Sequence, residues 1–258
     1  MTRPRKNSRA HLLTRSLTAA VLLAAARLLP AAGLQPYEAV YESDLKGFNV
    51  HVKRSLELTE RGVTVSIDAR RFMFGLHEES RMSYVSDTVL RSNSYVHNRK
   101  GFGSEHDKDL RFNWDDDTVI DLLRPKMEPL KVEDPCYDKL GYQTQIRLDL
   151  MQNPDFERKQ YFVSNSIRNR VYTIERMGAE VLDTPIGKFN TIKLKRVGTT
   201  EDREVIVWAA TDWDYLLIRM DQAKKPGGKM QTMVLKSATI DGKPVTPLEK
   251  AETAPEAD

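Results

Sequence analysis

The chain has 258 residues, 40 of them basic and 37 acidic, and a single cysteine, Cys136. One cysteine excludes an intramolecular disulfide and a Cys-rich zinc site. The basic residues are unevenly placed. Residues 1–33 hold six of them (Arg3, Arg5, Lys6, Arg9, Arg15, Arg27) and no acid, leaving 34 cations against 37 anions and a net charge of −3 thereafter. The basic domain that nucleic-acid binding requires is therefore missing.

The start, Arg3-Pro-Arg5-Lys6 to Arg15, then Ser16 to Ala26, is a basic stretch followed by an apolar one. Leu28-Leu29-Pro30-Ala31-Ala32-Gly33 then supplies a helix breaker and small residues suited to a signal peptidase. The apolar run is short of the roughly 20 residues a transmembrane helix needs. Residues 1–33 are thus expected to be a cleaved signal peptide, and the mature protein periplasmic. There is no Arg-Arg pair before the apolar run and no nearby Cys, which favours general export without a lipid anchor.

Residues 34–245 read as one β-rich domain. Tyr37–Tyr41 is a first strand, with a turn at Lys46-Gly47. Leu56–Thr59 and Val63–Asp68 alternate around Glu60-Arg61-Gly62, as a hairpin does. Further strand pairs flank Ser86-Asp87 and Asp115-Asp116-Asp117. Strands follow at 159–163, 170–174, 191–195, 204–208, 216–220 and 230–235, the last two separated by Pro226-Gly227-Gly228. Short strands at regular spacing predict an antiparallel barrel, half-barrel or sandwich. One stretch departs from that rhythm. Asp134-Pro135 suits an N-cap and first helical turn, and Cys136, Leu140, Ile146 and Leu150 recur at helical spacing until Asn153-Pro154. That predicts one helix of about 15 residues against the sheet. The polar, acidic, Pro-containing tail 246–258 is expected to be disordered.

Candidate sites are few. Asp115–Asp117 lacks the spacing of a calcium loop and reads as a solvated turn. His97, Glu105, His106, Asp107 and Asp109 share a polar stretch but not the spacing of a zinc site. Gly101-Phe-Gly103 and Gly227-Gly228-Lys229 do not lie between a strand and a helix, as a phosphate loop must. No Gly-x-Ser-x-Gly elbow is present, and Cys136 reads as a buried apolar side chain. No catalytic, metal or cofactor residue is assigned. Phe72, Phe74, Leu76, Trp208 and Trp213 are candidates to line a ligand cavity, against the alternative that they fill the core.

An ordered set of landmarks spans about 34–242. They are Tyr37…Tyr41, Phe112-Asn113-Trp114-Asp115, Tyr137-Asp138, Gln145-Ile146-Arg147-Leu148, Thr184-Pro185-Ile186-Gly187-Lys188-Phe189, Val207-Trp208-Ala209-Ala210-Thr211-Asp212 and Leu217-Ile218-Arg219. With these the chain resembles the DUF3108 family of exported bacterial proteins. It departs from the family at Leu216–Arg219, where a proline is common. The resemblance implies a barrel or half-barrel with a helix against it, and carries over no catalytic residue. The expected function is a non-enzymatic envelope protein holding an apolar or lipid-like ligand. The alternatives are a structural or interaction module of an envelope complex, and a hydrolase using dispersed carboxylates. A carrier needs a large apolar cavity, an interaction module a filled core and an exposed patch, and an enzyme converging polar groups in a cleft.

Overall fold

The computed structural model describes residues 33–45, 48–101, 103–197 and 203–248. Residues 1–32, all but the last of the expected signal peptide, lie outside the described residues, as do the expected Lys46-Gly47 turn and the tail from residue 249. No described helix is long and apolar enough to cross a membrane.

One antiparallel sheet dominates. In chain order its strands are β1 (Tyr37–Leu45), β2 (Phe48–Thr59), β3 (Gly62–Arg71), β4 (Phe74–Ser86), β5 (Val89–Lys100), β6 (Lys108–Asn113), β7 (Thr118–Asp121) and β8 (Leu130–Lys131). After helix α1 (Gly141–Gln152) come β9 (Arg158–Ser164), β10 (Asn169–Thr184), β11 (Gly187–Val197), β12 (Glu204–Ala210), β13 (Leu216–Ala223), β14 (Gln231–Ile240) and β15 (Lys243–Pro244). The spatial order runs from β8 back to β1, then β14 down to β9, with β15 paired to β14. The first half and the second half are thus two meanders, joined where β1 pairs with β14 through Tyr37–Ile240 and Ser43–Met233. A shift between Val40 and Tyr41 kinks that seam, and bulges also fall in β4, β5, β10 and β13. Such bulges bend strands and let a wide sheet curl.

The sheet does not close on itself, because β8 and β9 remain its edges. A short irregular segment links the β9 edge to β5. Ser92 N–H on β5 donates to the Cys136 carbonyl at 3.0 Å, and Tyr137 exchanges 2.9 Å backbone bonds with Phe162 and Ser164 of β9. Cys136 and Tyr137 thereby satisfy backbone groups of β5 and of the β9 edge.

This use of the backbone explains why the helix begins later than its sequence suggests. Residues 134–140 are tied sideways to strands, and Asp134 pairs with Arg91 at 2.7 Å instead of capping. The acceptor for the helix start is Asp138, which takes the N–H groups of Leu140 and Gly141 at 2.7 and 3.0 Å. Its other oxygen receives the Ser80 and Ser92 hydroxyls, both at 2.6 Å. Gly141 is required here because a Cβ would meet Ser92 Oγ at 2.5 Å.

Buried residues occupy every face of α1, including Thr144, Gln145, Arg147 and Asp149. Such a helix sits inside the curled sheet, not on its surface. Its polar groups are largely bonded in place. Gln145 accepts Leu90 N–H at 2.7 Å and donates to the Thr88 carbonyl at 2.9 Å. Asp149 accepts Tyr161 O–H at 2.7 Å and pairs with Lys159 at 2.6 Å. At the far end of the chain, Thr246 and Leu248 are docked through Trp213 Nε1 at 3.0 Å and the Lys188 carbonyl at 2.8 Å. The described residues thus include 246–248, the first three of the segment expected to be disordered.

Candidate functional site: a cavity between the helix and the curled sheet

Alternation along each strand sends every second side chain to the concave face. Val52 on β2, Ile67 on β3, Leu194 on β11, Val205 and Val207 on β12 and Met233 on β14 meet there. With α1 residues Tyr142, Ile146 and Leu150 they enclose a cavity of about 700 Å³. That size suits one small-molecule or single-chain ligand. Hairpins β1–β2, β3–β4, β11–β12 and β13–β14 all turn at the same end of the sheet. Arg203 and Lys224 stand in this region, exposed, and line the cavity.

The lining is strongly cationic. It contains eight Lys or Arg side chains and a single acid, Glu78. Glu78 is buried and fully engaged: Lys139 Nζ lies at 2.7 Å, Tyr95 O–H donates at 2.8 Å, and His97 Nδ1 is 3.4 Å away. Burial alone would raise its pKa, but Lys139 and His97 outweigh burial and hold it at about 2. Glu78 is thus a fixed carboxylate. With one carboxylate among the described lining residues, the cavity offers no acid–base pair of the kind glycoside hydrolysis uses.

Two of these eight cations are buried. Arg54 on β2 and Arg147 on α1 are each 7 % exposed. Arg54 Nη1 donates to Gln143 Oε1 at 3.1 Å, while its Nε has no partner. Arg147 Nε donates to the Asp214 carbonyl, its guanidinium lies 4.8 Å over the Tyr37 ring, and both Nη atoms have no partner. Burial lowers the Arg147 pKa from its ordinary value, with Tyr37 and Asp214 opposing.

Of the side chains nominated from sequence, Leu76 lines this cavity. Phe72 is 93 % exposed at the tip of the β3–β4 hairpin, with a left-handed φ of 51°, and Phe74 is exposed beside it. Trp208 is buried on the opposite face of β12 from Val207. There it lies between Lys193 and Arg219, at 4.9 and 5.0 Å, and its Nε1 donates to Glu180. Trp213 reaches Thr246 outside the cavity wall. Sequence reasoning missed Arg54 and Arg147. A signal existed: Arg54 shares the inward register of Val52 and Leu56, and Arg147 stands between Ile146 and Leu148 on the helix.

The landmark residues make structural bonds at several places in the fold. Tyr41 O–H donates to the Leu217 carbonyl at 2.9 Å, and Trp114 Nε1 donates to Ser92 at 3.0 Å, beside the Asp138 anchor. Thr184 Oγ1 closes the β10–β11 turn on the Gly187 carbonyl at 2.6 Å.

Comparison with known proteins agrees with this architecture. A crystal structure of a beta-barrel-like protein of domain of unknown function DUF1849, from Brucella abortus, is similar over 81% of this chain and 99% of that one. Its TM-score is 0.54 and its sequence identity 11%, a likeness of fold. No curated protein matches. The model for "Protein of unknown function (DUF3108)" matches residues 39–235, most of the chain, and the chain therefore belongs to the DUF3108 family.

Proposed function

We propose that this protein is an exported carrier that holds one amphipathic, lipid-like molecule between α1 and the concave sheet. The observation that carries the reading is the cavity itself, about 700 Å³ with walls of Val52, Ile67, Leu194, Val207 and Met233. Folded interiors are normally close-packed, and an apolar void of this size loses contacts that a ligand restores. A module that only docked through its surface would have no use for such a void. The basic-then-apolar start of the chain supports export.

The test is titration with the neutral apolar fluorophore N-phenyl-1-naphthylamine. Saturable one-to-one enhancement is expected, and Val207→Trp, which projects a large side chain into the cavity, abolishes it while the fold persists. Enhancement that is absent from the wild type, or unchanged in Val207→Trp, contradicts the carrier reading. Amino-terminal sequencing of protein purified from its native host tests export: a start near residue 34 is expected, and an intact Met1 overturns it.

A further inference from the structure

We infer that the carried ligand is an acid, an apolar chain ending in a carboxylate or phosphate monoester, whose anionic end is bound at Arg54 and Arg147. This deepens the carrier reading and rests on it.

A guanidinium withdrawn from water normally has its N–H groups met by carboxylates or carbonyls, because an unpaired buried charge is expensive. Arg147 departs from that rule. Among the described residues no acid lies within ion-pair distance of it, and both terminal nitrogens are unpartnered. Only Nε is committed, to the Asp214 carbonyl. That single bond fixes the plane of the group and leaves free the Nη fork, the geometry that matches two oxygens of a carboxylate or phosphate. Tyr37 supports the guanidinium from its face. Arg54, on the sheet side, is engaged the other way round: Gln143 holds one terminal nitrogen, Tyr37 is a second partner, and Nε stays unpaired. Glu78, the one acid among the lining residues, is already engaged by Lys139 and Tyr95.

The backbone near Arg147 is also unusual. Asp214 and Tyr215 are consecutive left-handed residues, with φ of 49° and 55°. Left-handed backbone is unfavourable for a tyrosine, and strain of this sort persists where surrounding structure enforces it. Here it places the Asp214 carbonyl against Arg147 and Tyr215 in the cavity wall. Farther out, Arg168, Arg203 and Lys224 are exposed cations on the same lining and attract an anion toward the opening.

The experiment compares palmitate, hexadecyl phosphate and hexadecanol as displacers of N-phenyl-1-naphthylamine from the full domain. At least one acid is expected to bind about ten-fold or more tighter than the alcohol, as charge-assisted hydrogen bonds dictate. Arg147→Met and Arg54→Met each remove about ten-fold of the acid's affinity and leave hexadecanol within about three-fold. The ligand-free Arg147→Met protein melts no lower than the wild type, because the substitution removes a buried group with unmet donors. Equal affinity for acids and alcohol in the wild type overturns the anion site while sparing the carrier reading, and needs no variant to fold. Loss of binding by all three ligands overturns both. Which acid binds tighter distinguishes a carboxylate from a phosphate head group.

Discussion

Arg147 of helix α1 donates its Nε hydrogen to the main-chain carbonyl of Asp214, 67 residues later, in the turn between β12 and β13. That bond joins the buried helix to the second meander. Asp138 and Gln145 join the same helix to the first meander, through Ser80, Ser92 and Leu90. The helix is therefore a central strut, and the cavity is the space between this strut and the concave sheet.

Asp138 is the anchor whose loss should be felt most. Burial pushes its carboxyl above the ordinary range, against four hydrogen bonds that favour the charged form. Asp138→Ala leaves two hydroxyls and two backbone N–H groups buried without an acceptor. We predict a stability loss of about 3 kcal/mol or more in urea denaturation. Asp138→Asn keeps one acceptor oxygen and should lose less.

Glu78 makes stability depend on acid. Its pKa in the folded protein is about 2, below the ordinary glutamate value of 4.5. A depressed carboxylate contributes stability that is complete above about pH 4.5 and disappears as pH falls toward about 2. The contribution is on the order of 3 kcal/mol. In denaturation curves taken from neutral pH down to about pH 2, Glu78→Gln should be less stable at neutral pH and should show a flatter acid dependence. A parallel acid dependence in wild type and variant would assign the effect to other groups.

Cys136 should be inert in the native state. Its thiol is buried in the segment that spans β5 and β9, and burial pushes its pKa up to about 12. Ellman's reagent at pH 8 is expected to label the thiol only after denaturation. Rapid labelling of the folded protein would show that the segment between β5 and β9 opens.

Phe72 should be dispensable. It is almost wholly exposed and holds a left-handed backbone that glycine adopts without steric cost. Phe72→Gly is expected to be neutral to stabilising, by up to about 1 kcal/mol. Displacement assays should show unchanged ligand affinity. Leu76→Trp, four residues later but inside the cavity, should reduce that affinity.

These contrasts mark where local sequence is informative. Turn residues are chosen by their own backbone geometry, so the hairpins at Glu60–Gly62, Ser86-Asp87, Asp115–Asp117 and Pro226–Gly228 are legible without tertiary knowledge. The face of a strand is harder to read. In β12, Val207 and Trp208 are both apolar, and alternation alone does not say which points inward. The sheet curls so that Val207 enters the cavity, while Trp208 is covered by Lys193 and Arg219. The helix start was obscured because Asp134-Pro135 has the chemistry of a cap while the intervening residues bond sideways to β5 and β9. Arg54 and Arg147 are hard to find from sequence for a different reason: arginine is seldom buried, so a surface position is the natural assignment.

The most direct test is native mass spectrometry of the protein purified from its own host, paired with lipid extraction of the same sample. The account predicts a one-to-one complex with an amphipathic acid that is absent from Val207→Trp. A polypeptide-only mass that stays unchanged after incubation with palmitate and with hexadecyl phosphate would contradict it.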